Sequence, residues 1–252
     1  MELYLNSQSK DGGNMKADNI LVVSDINYGK PINNLGRITT NLKRFVREPE
    51  TFKLVLFTGG SDVSPNLYGE TSPKTFCGCD PNRDRKERII FKRALRNNIK
   101  MTGICRGMQF LNVMSGGRMI HHLNDHAVWG KHPLECSKNE DIIEVNSLHH
   151  QMAIPPHNGY IIGWCPIKRS KVYFGDKDLP VNWPGPEVEA LYLPKIQACG
   201  VQWHPEMMSE ESDGFIFFNE MIDDFLGMET KRFSDKYTGR AKEKDKIIQH
   251  TT

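Results

Sequence analysis

The stretch "MTGICRGMQF", residues 101–110, decides how the rest of the chain is read. A short apolar run leads into Cys105, which stands between Gly103 and Gly107, and a helix-type pattern, "RGMQFLNVMSGG" (106–117), follows and closes on glycines. This predicts a strand, a sharp turn and a helix. A side chain on such a turn projects above the carboxyl edge of a sheet, where open α/β folds place their chemistry. Glycines on either side remove Cβ atoms that would crowd the turn. The helix N-terminus favours thiolate over thiol and leaves backbone N–H groups free for an oxyanion. Cys105 is therefore a candidate nucleophile; the competing reading is a small buried thiol in a chance pattern.

A nucleophile needs a base, and "GVQWHPE" (200–206) supplies one. On an extended segment residues i and i+2 share a side, so His204 and Glu206 stand together while Pro205 keeps the backbone extended. A carboxylate beside an imidazole fixes its tautomer and stabilises its cation. The set Cys105, His204 and Glu206 then reads as a catalytic triad. In "LFTGGSDVSP" (56–65) two glycines follow an apolar run, which lets the backbone approach a ligand. The N–H of Gly60 can join that of Arg106 in an oxyanion hole.

Around these motifs, strand-length apolar runs recur: "NILVVS" (19–24), "KLVLFTGG" (53–60), "KMTGIC" (100–105), "DIIEVNS" (141–147), "YIIGWC" (160–165), "EALYLP" (189–194) and "ACGVQWHPE" (198–206). Several are continuous rather than alternating, as strands buried on both faces are. Helical spacing is found in "GRITTNLKRFV" (36–46), "RDRKERIIFKRALRNN" (83–98) and "DGFIFFNEMIDDFLG" (213–227), whose aromatic residues are expected in the core. Strand and helix alternate early and strands follow one another later. The expected fold is α/β, a doubly wound, mainly parallel sheet with an added antiparallel portion. "DRKE" (84–87) reads as a capping box with Asp84 as the cap. One domain is expected over residues 1–227, followed by a charged, solvated extension over 228–252.

Bulk properties narrow the partners. The 252 residues are 38% hydrophobic, and 33 Lys+Arg against 31 Asp+Glu give a net charge of +2. That balance does not announce a nucleic acid or an anionic membrane. No run approaches the roughly 20 apolar residues of a membrane span, and the N-terminus lacks a signal pattern. A cytoplasmic protein is expected, with its six cysteines kept as thiols. Four histidines in "HHLNDHAVWGKH" (His121, His122, His126, His132) have neither the i,i+4 helical spacing nor finger spacing, so they are expected at the surface or at a pocket rim. "CGC" (77–79) and "VNWPGP" (181–186) read as loops. No metal and no cofactor are expected.

Four motifs, "FTGGSDVSPNLYGE" (57–70), "GICRGMQ" (103–109), "VNSLHHQ" (145–151) and "VQWHPE" (201–206), occur in an order that resembles the class I glutamine amidotransferase superfamily, and more narrowly its γ-glutamyl hydrolase branch, which includes γ-glutamyl-γ-aminobutyrate hydrolases. The resemblance runs from about residue 55 to about residue 225. It implies a flavodoxin-like α/β domain in which Cys105 attacks the γ-carbonyl of a glutamine or γ-glutamyl amide and a γ-glutamyl thioester forms. His204 would protonate the departing amine and then activate water, with Glu206 orienting it. By the same resemblance Gln109, Ser147, His149 and Gln151 would border the substrate. One departure stands out. Where that branch often carries Gln-Asp after the Gly-Gly pair, "GGRMIHHL" places His121 and His122, so the leaving-group side of the pocket differs here. The implied partner is a small-molecule γ-glutamyl substrate. The alternative is a glutaminase subunit supplying ammonia to a separate synthetase. A non-enzymatic module that kept the fold would be expected to lack a triad member, and none is lacking.

Overall fold

The continuous apolar runs become strands covered on both faces. The computed structural model describes residues 18–72, 76–138 and 142–239. In β1 (Asn19–Val23), Leu21 and Val23 enter one core while Ile20 and Val22 enter another. After β2 (Arg37–Thr39), β3 (Phe52–Phe57) repeats the division, with Val55 and Phe57 on one side and Leu54 and Leu56 on the other. Period-2 geometry turns a run of unbroken hydrophobicity into two buried faces.

These three strands lie parallel beside β4 (Lys100–Ile104). Short strands β5 (Arg118–Ile120) and β6 (His122–Leu123) precede the long β7 (Ala127–Cys136) and β8 (Ile142–Leu148). Then come β9 (Met152–Ile154), β10 (Tyr160–Cys165), β11 (Tyr173–Phe174), β12 (Glu187–Leu193) and β13 (Ala198–Val201). Among the described residues the main sheet runs in the order β2-β1-β3-β4-β13-β12-β10-β7-β8. The first five strands are mutually parallel and the last four attach antiparallel, as expected from the sequence. β5 with β9, and β6 with β11, form small separate pairs.

Helices cover both faces. After α1 (Leu42–Arg47), α2 (Pro81–Arg96) and α3 (Arg106–Met114) put Ile90, Phe91, Phe110 and Leu111 into the first core. On the opposite face, α4 (Asp213–Gly227) contributes Phe217, Phe218, Met221 and Phe225 to the second. α5 (Thr230–Thr238) adds Phe233 and Tyr237 to that core.

Three local expectations are corrected. The segment 36–46 is not one helix: Ile38 pairs with Ile20 in the sheet, and a helix starts only at Leu42, where the Asn41 side chain accepts from the Arg44 N–H at 2.9 Å. β-branched Ile38 and Thr39 suit a strand better than a helix. The cap of α2 is Asp80, whose Oδ1 accepts from the N–H groups of Asn82 and Arg83, with Pro81 opening the helix. Asp84 is buried inside the first turn. The charged stretch after Gly227 is not wholly solvated, since Phe233 and Tyr237 are completely buried. Burying each such side chain contributes about 1.5–3 kcal/mol. "AKEKDK" (241–246) lies outside the described residues. Among the described residues no helix is long and apolar enough to cross a membrane, and all six cysteines are free thiols.

Candidate active site

Cys105 sits where β4 stops and α3 begins, with φ 51° and ψ −113°. A non-glycine residue at positive φ stores strain, which tends to gather at functional turns. Close packing explains the flanking glycines. A Cβ on Gly103 would overlap the backbone of Gly107, and one on Gly107 would overlap the carbonyl of Phe57 at the end of β3. Only glycine at both places lets α3 press onto the strand ends.

The neighbouring strand delivers the candidate base. Ile104 pairs in register with Val201, and the Cys105 N–H donates to the Val201 carbonyl at 2.7 Å. Three residues further on stands His204, whose Nδ1 donates to Glu206 Oε1 at 2.6 Å. Both side chains are mostly buried. Burial alone would lower the imidazole pKa, but hydrogen bonds to the Cys105 and Glu206 side chains and the negative charge of both raise it to about 10. The arrangement therefore favours a protonated imidazole at His204.

Three supports were not legible in the sequence. Asn146, in "VNSLHHQ", clamps His204 from both sides: its Oδ1 accepts from the His204 N–H and its Nδ2 donates to the His204 carbonyl, each at 2.8 Å. Tyr28 lies 6.0 Å from the His204 ring, centroid to centroid. Burial pushes its hydroxyl well above the usual phenol range, as do the charges of Glu206 and Cys105. Arg83 holds the glycine loop, donating from Nη2 to the Thr58 carbonyl at 2.8 Å. Gly60 has φ +126° and no room for a Cβ beside Arg83 Nη1. Gly59 packs against Tyr28 and His204, so the glycine pair borders the candidate base.

The Arg106 side chain turns inward and forms ion pairs with Asp84 and Glu87, all three fully buried. Asp84 also accepts from the Ser64 N–H at 3.2 Å. The "DRKE" spacing thus places two carboxylates on one helix face to hold an arginine, rather than to cap a helix. That anchor fixes the first residue of α3, whose backbone N–H is the one expected to face an oxyanion.

The four residues expected beside the substrate are all buried, and their side chains have other partners. Gln109 Nε2 donates to the Gln151 carbonyl at 3.2 Å and to Gln202 Oε1 at 3.1 Å. Ser147 Oγ donates to the His126 carbonyl at 2.5 Å. His149 Nδ1 donates to the Gln151 carbonyl at 3.0 Å, and Gln151 Nε2 to the His121 carbonyl at 3.1 Å. The histidine run is corrected as well: His121, His126 and His132 are at most 1% exposed rather than at a surface or rim. Each faces a carboxylate inside the protein, Glu70 for His121, Glu187 for His126 and Glu189 for His126 and His132.

The model of the Peptidase C26 family matches residues 49–163, a span that includes Cys105 and ends short of His204. A glutamine amidotransferase-like protein of Lactococcus lactis, YvdE, is 33% identical over 186 residues, covering 67% of this chain and 70% of that protein. The chain belongs to the Peptidase C26 family. That family is class I glutamine amidotransferase-like. A further relative is the γ-glutamyl-γ-aminobutyrate hydrolase PuuD of Escherichia coli, 30% identical over 161 residues, or 60% of this chain and 62% of that one. Among solved structures, a glutamine amidotransferase of Thermotoga maritima superposes with a TM-score of 0.52 at 14% identity, covering 93% of this chain and 94% of its own. PurLQS of the same organism gives 0.56 at 13% identity, with 82% and 98% covered. These two likenesses establish the Peptidase C26 chain's fold.

Proposed function

We propose that the chain is a thiol amidohydrolase that cleaves the γ-amide of a γ-glutamyl compound, releasing glutamate and an amine. Family membership and the γ-glutamyl-γ-aminobutyrate hydrolases among its relatives support a hydrolase acting on a γ-glutamyl amide bond. The observation that carries the mechanism is the elbow of Cys105 beside the His204–Glu206 pair on the adjacent strand end.

The Cys105 thiolate attacks the γ-carbonyl carbon, and the oxyanion that forms is met by the backbone N–H groups of Gly60 and Arg106. His204 gives its proton to the amine as the C–N bond breaks, leaving a γ-glutamyl thioester. The neutral imidazole then takes a proton from water, whose oxygen attacks the thioester. Glutamate leaves and the thiolate–imidazolium pair is restored. Glu206 accepts from Nδ1 throughout and keeps Nε2 as the working nitrogen. Gln109 and the 147–151 segment border the substrate in this reading. The inward bonds of Ser147, His149 and Gln151 support a contribution through the backbone of that segment more than through its side chains.

The test is glutamate release by the purified chain from glutamine and from a panel of γ-glutamyl amides. Turnover of at least one amide, lost in Cys105→Ala, is expected. A folded chain that turns over none of them contradicts a self-sufficient hydrolase. Release from glutamine only in the presence of a synthetase would replace this reading with the ammonia-supplying one.

A further inference from the structure

In the antiparallel half, away from the cysteine elbow in the sequence, four buried side chains converge. His126 precedes β7, His132 lies on it, His149 follows β8, and Glu189 lies on β12. Their candidate ligand atoms all fall within 4.8 Å of one another. Glu189 Oε1 is 3.3 Å from His149 Nε2, 3.4 Å from His126 Nδ1 and 3.5 Å from His132 Nε2.

The outer nitrogens decide what the inner ones are. His132 Nδ1 faces the Pro133 carbonyl at 3.0 Å and His149 Nδ1 faces the Gln151 carbonyl at 3.0 Å. A carbonyl can only accept, so each Nδ1 carries the proton. His126 Nε2 faces Glu187 Oε2 at 3.0 Å. The Glu187 carboxylate also receives the N–H groups of Arg169 and Ser170 and the Tyr173 hydroxyl, so it too is an acceptor. The Ser147 hydroxyl, 3.4 Å from His126 Nδ1, spends its proton on the His126 carbonyl. A neutral imidazole has one N–H, which leaves three nitrogen lone pairs pointing at a carboxylate. Neither Glu189 oxygen has a hydrogen-bond partner, nor does His132 Nε2 or His149 Nε2. Four acceptors facing one another in a buried space repel unless a cation lies between them.

We propose that His126, His132, His149 and Glu189 bind one divalent, zinc-class metal ion. Ligands about 2.0–2.2 Å from a tetrahedral ion stand about 3.3–3.6 Å apart, which matches the three Glu189 spacings. The outward bonds to backbone carbonyls and to Glu187 are the type that orients metal-binding imidazoles. Four protein ligands form a closed set, so the ion is structural. It would join β7, β8 and β12. The Glu189 carbonyl accepts from the Gln202 N–H at 2.7 Å, which ties the cluster to the segment that carries His204. The expectation of no metal rested on the linear spacing of one histidine run. The fold takes two ligands from that run and two from elsewhere.

The test uses the full chain, produced with zinc in the medium and purified without chelator. Elemental analysis is expected to find about one zinc per chain. Stripping with a strong chelator is expected to lower the melting temperature, and added zinc to restore it. Cobalt added to the stripped chain is expected to give the intense visible bands of a tetrahedral site. Glu189→Gln and His149→Gln should each lose the metal and the bands, while His150→Gln, whose ring faces Asp62, should keep both. Should a variant not fold, the wild-type melting and cobalt results decide. A folded wild-type chain that carries no zinc, gives no cobalt bands and melts alike with and without zinc overturns the proposal. Metal retained by folded Glu189→Gln and His149→Gln also overturns it.

Discussion

The two halves of the main sheet bury different things. In the parallel half, β1, β3 and β4 send apolar side chains to both faces, and the polar groups gather at the strand ends, where Cys105 and the Gly59–Gly60 loop lie. In the antiparallel half, the interior holds His126, His132, His149, Glu187 and Glu189, all at most 3% exposed. The first arrangement is built from local constraints: a strand, two glycines and a helix start within a few residues. The second is built from partners far apart in the chain, such as His126 and Glu187, 61 residues apart. A site that relies on local backbone geometry announces itself in sequence; a buried polar cluster exists only once the strands are paired.

That contrast can be broken most sharply at the elbow. Cys105→Ala is expected to lower glutamate release by about 10⁴-fold or more, and His204→Ala by about 10²–10⁴-fold, with the urea midpoints of both variants reported beside the rates. Loss of folding in place of loss of turnover would make Cys105 a structural thiol. The next effect concerns Arg106, a large ionic group buried under the elbow. Arg106→Leu leaves the buried Asp84 without an ion-pair partner and Glu87 with Arg83 alone, and should cost about 3–5 kcal/mol in urea unfolding. Adding Asp84→Asn and Glu87→Gln to it should recover part of that loss; no recovery would mean that the arginine acts through its packing.

Gly60→Ala is expected to cost less, about 1–3 kcal/mol, because the residue sits at φ +126° against Arg83. Glutamate release should fall by more than that loss of stability explains, since the loop also carries the proposed oxyanion donor. Equal falls in both would remove Gly60 from the chemistry. A further effect is a pH slope. His204 is raised from 6.5 to about 10, so the folded chain holds this proton more tightly than the unfolded chain does. Its stabilising contribution is complete below pH 6.5 and is lost as pH climbs through about 10. Urea unfolding across that range should show the decline, and Cys105→Ala, which removes one of the groups that raise His204, should flatten it.

Much of the parallel half was legible because its signals are periodic and local. The continuous runs at 19–24 and 53–60 required two buried faces, and "GICRG" required a tight strand-to-helix junction. Misreadings arose where a local pattern had a distant purpose. Asp84 and Glu87 have capping-box spacing, but the arginine that claims them lies 22 and 19 residues away. The stretch after Gly227 is rich in charge, yet two aromatic residues one helical turn apart are enough to dock α5. The histidine run looked exposed because its acidic partners, Glu70, Glu187 and Glu189, lie up to 63 residues from it. Asn146 was invisible because an asparagine that clamps a backbone has no sequence pattern of its own.

The most direct measurement is intact-mass analysis of the chain quenched in acid during turnover of a γ-glutamyl amide, followed by peptide mapping. A transient gain of one γ-glutamyl group on the peptide containing Cys105 is expected, absent in Cys105→Ala and accumulating in a variant whose deacylation is slowed at His204. Glutamate release at a normal rate with no adduct at Cys105, or with turnover retained in Cys105→Ala, would contradict it.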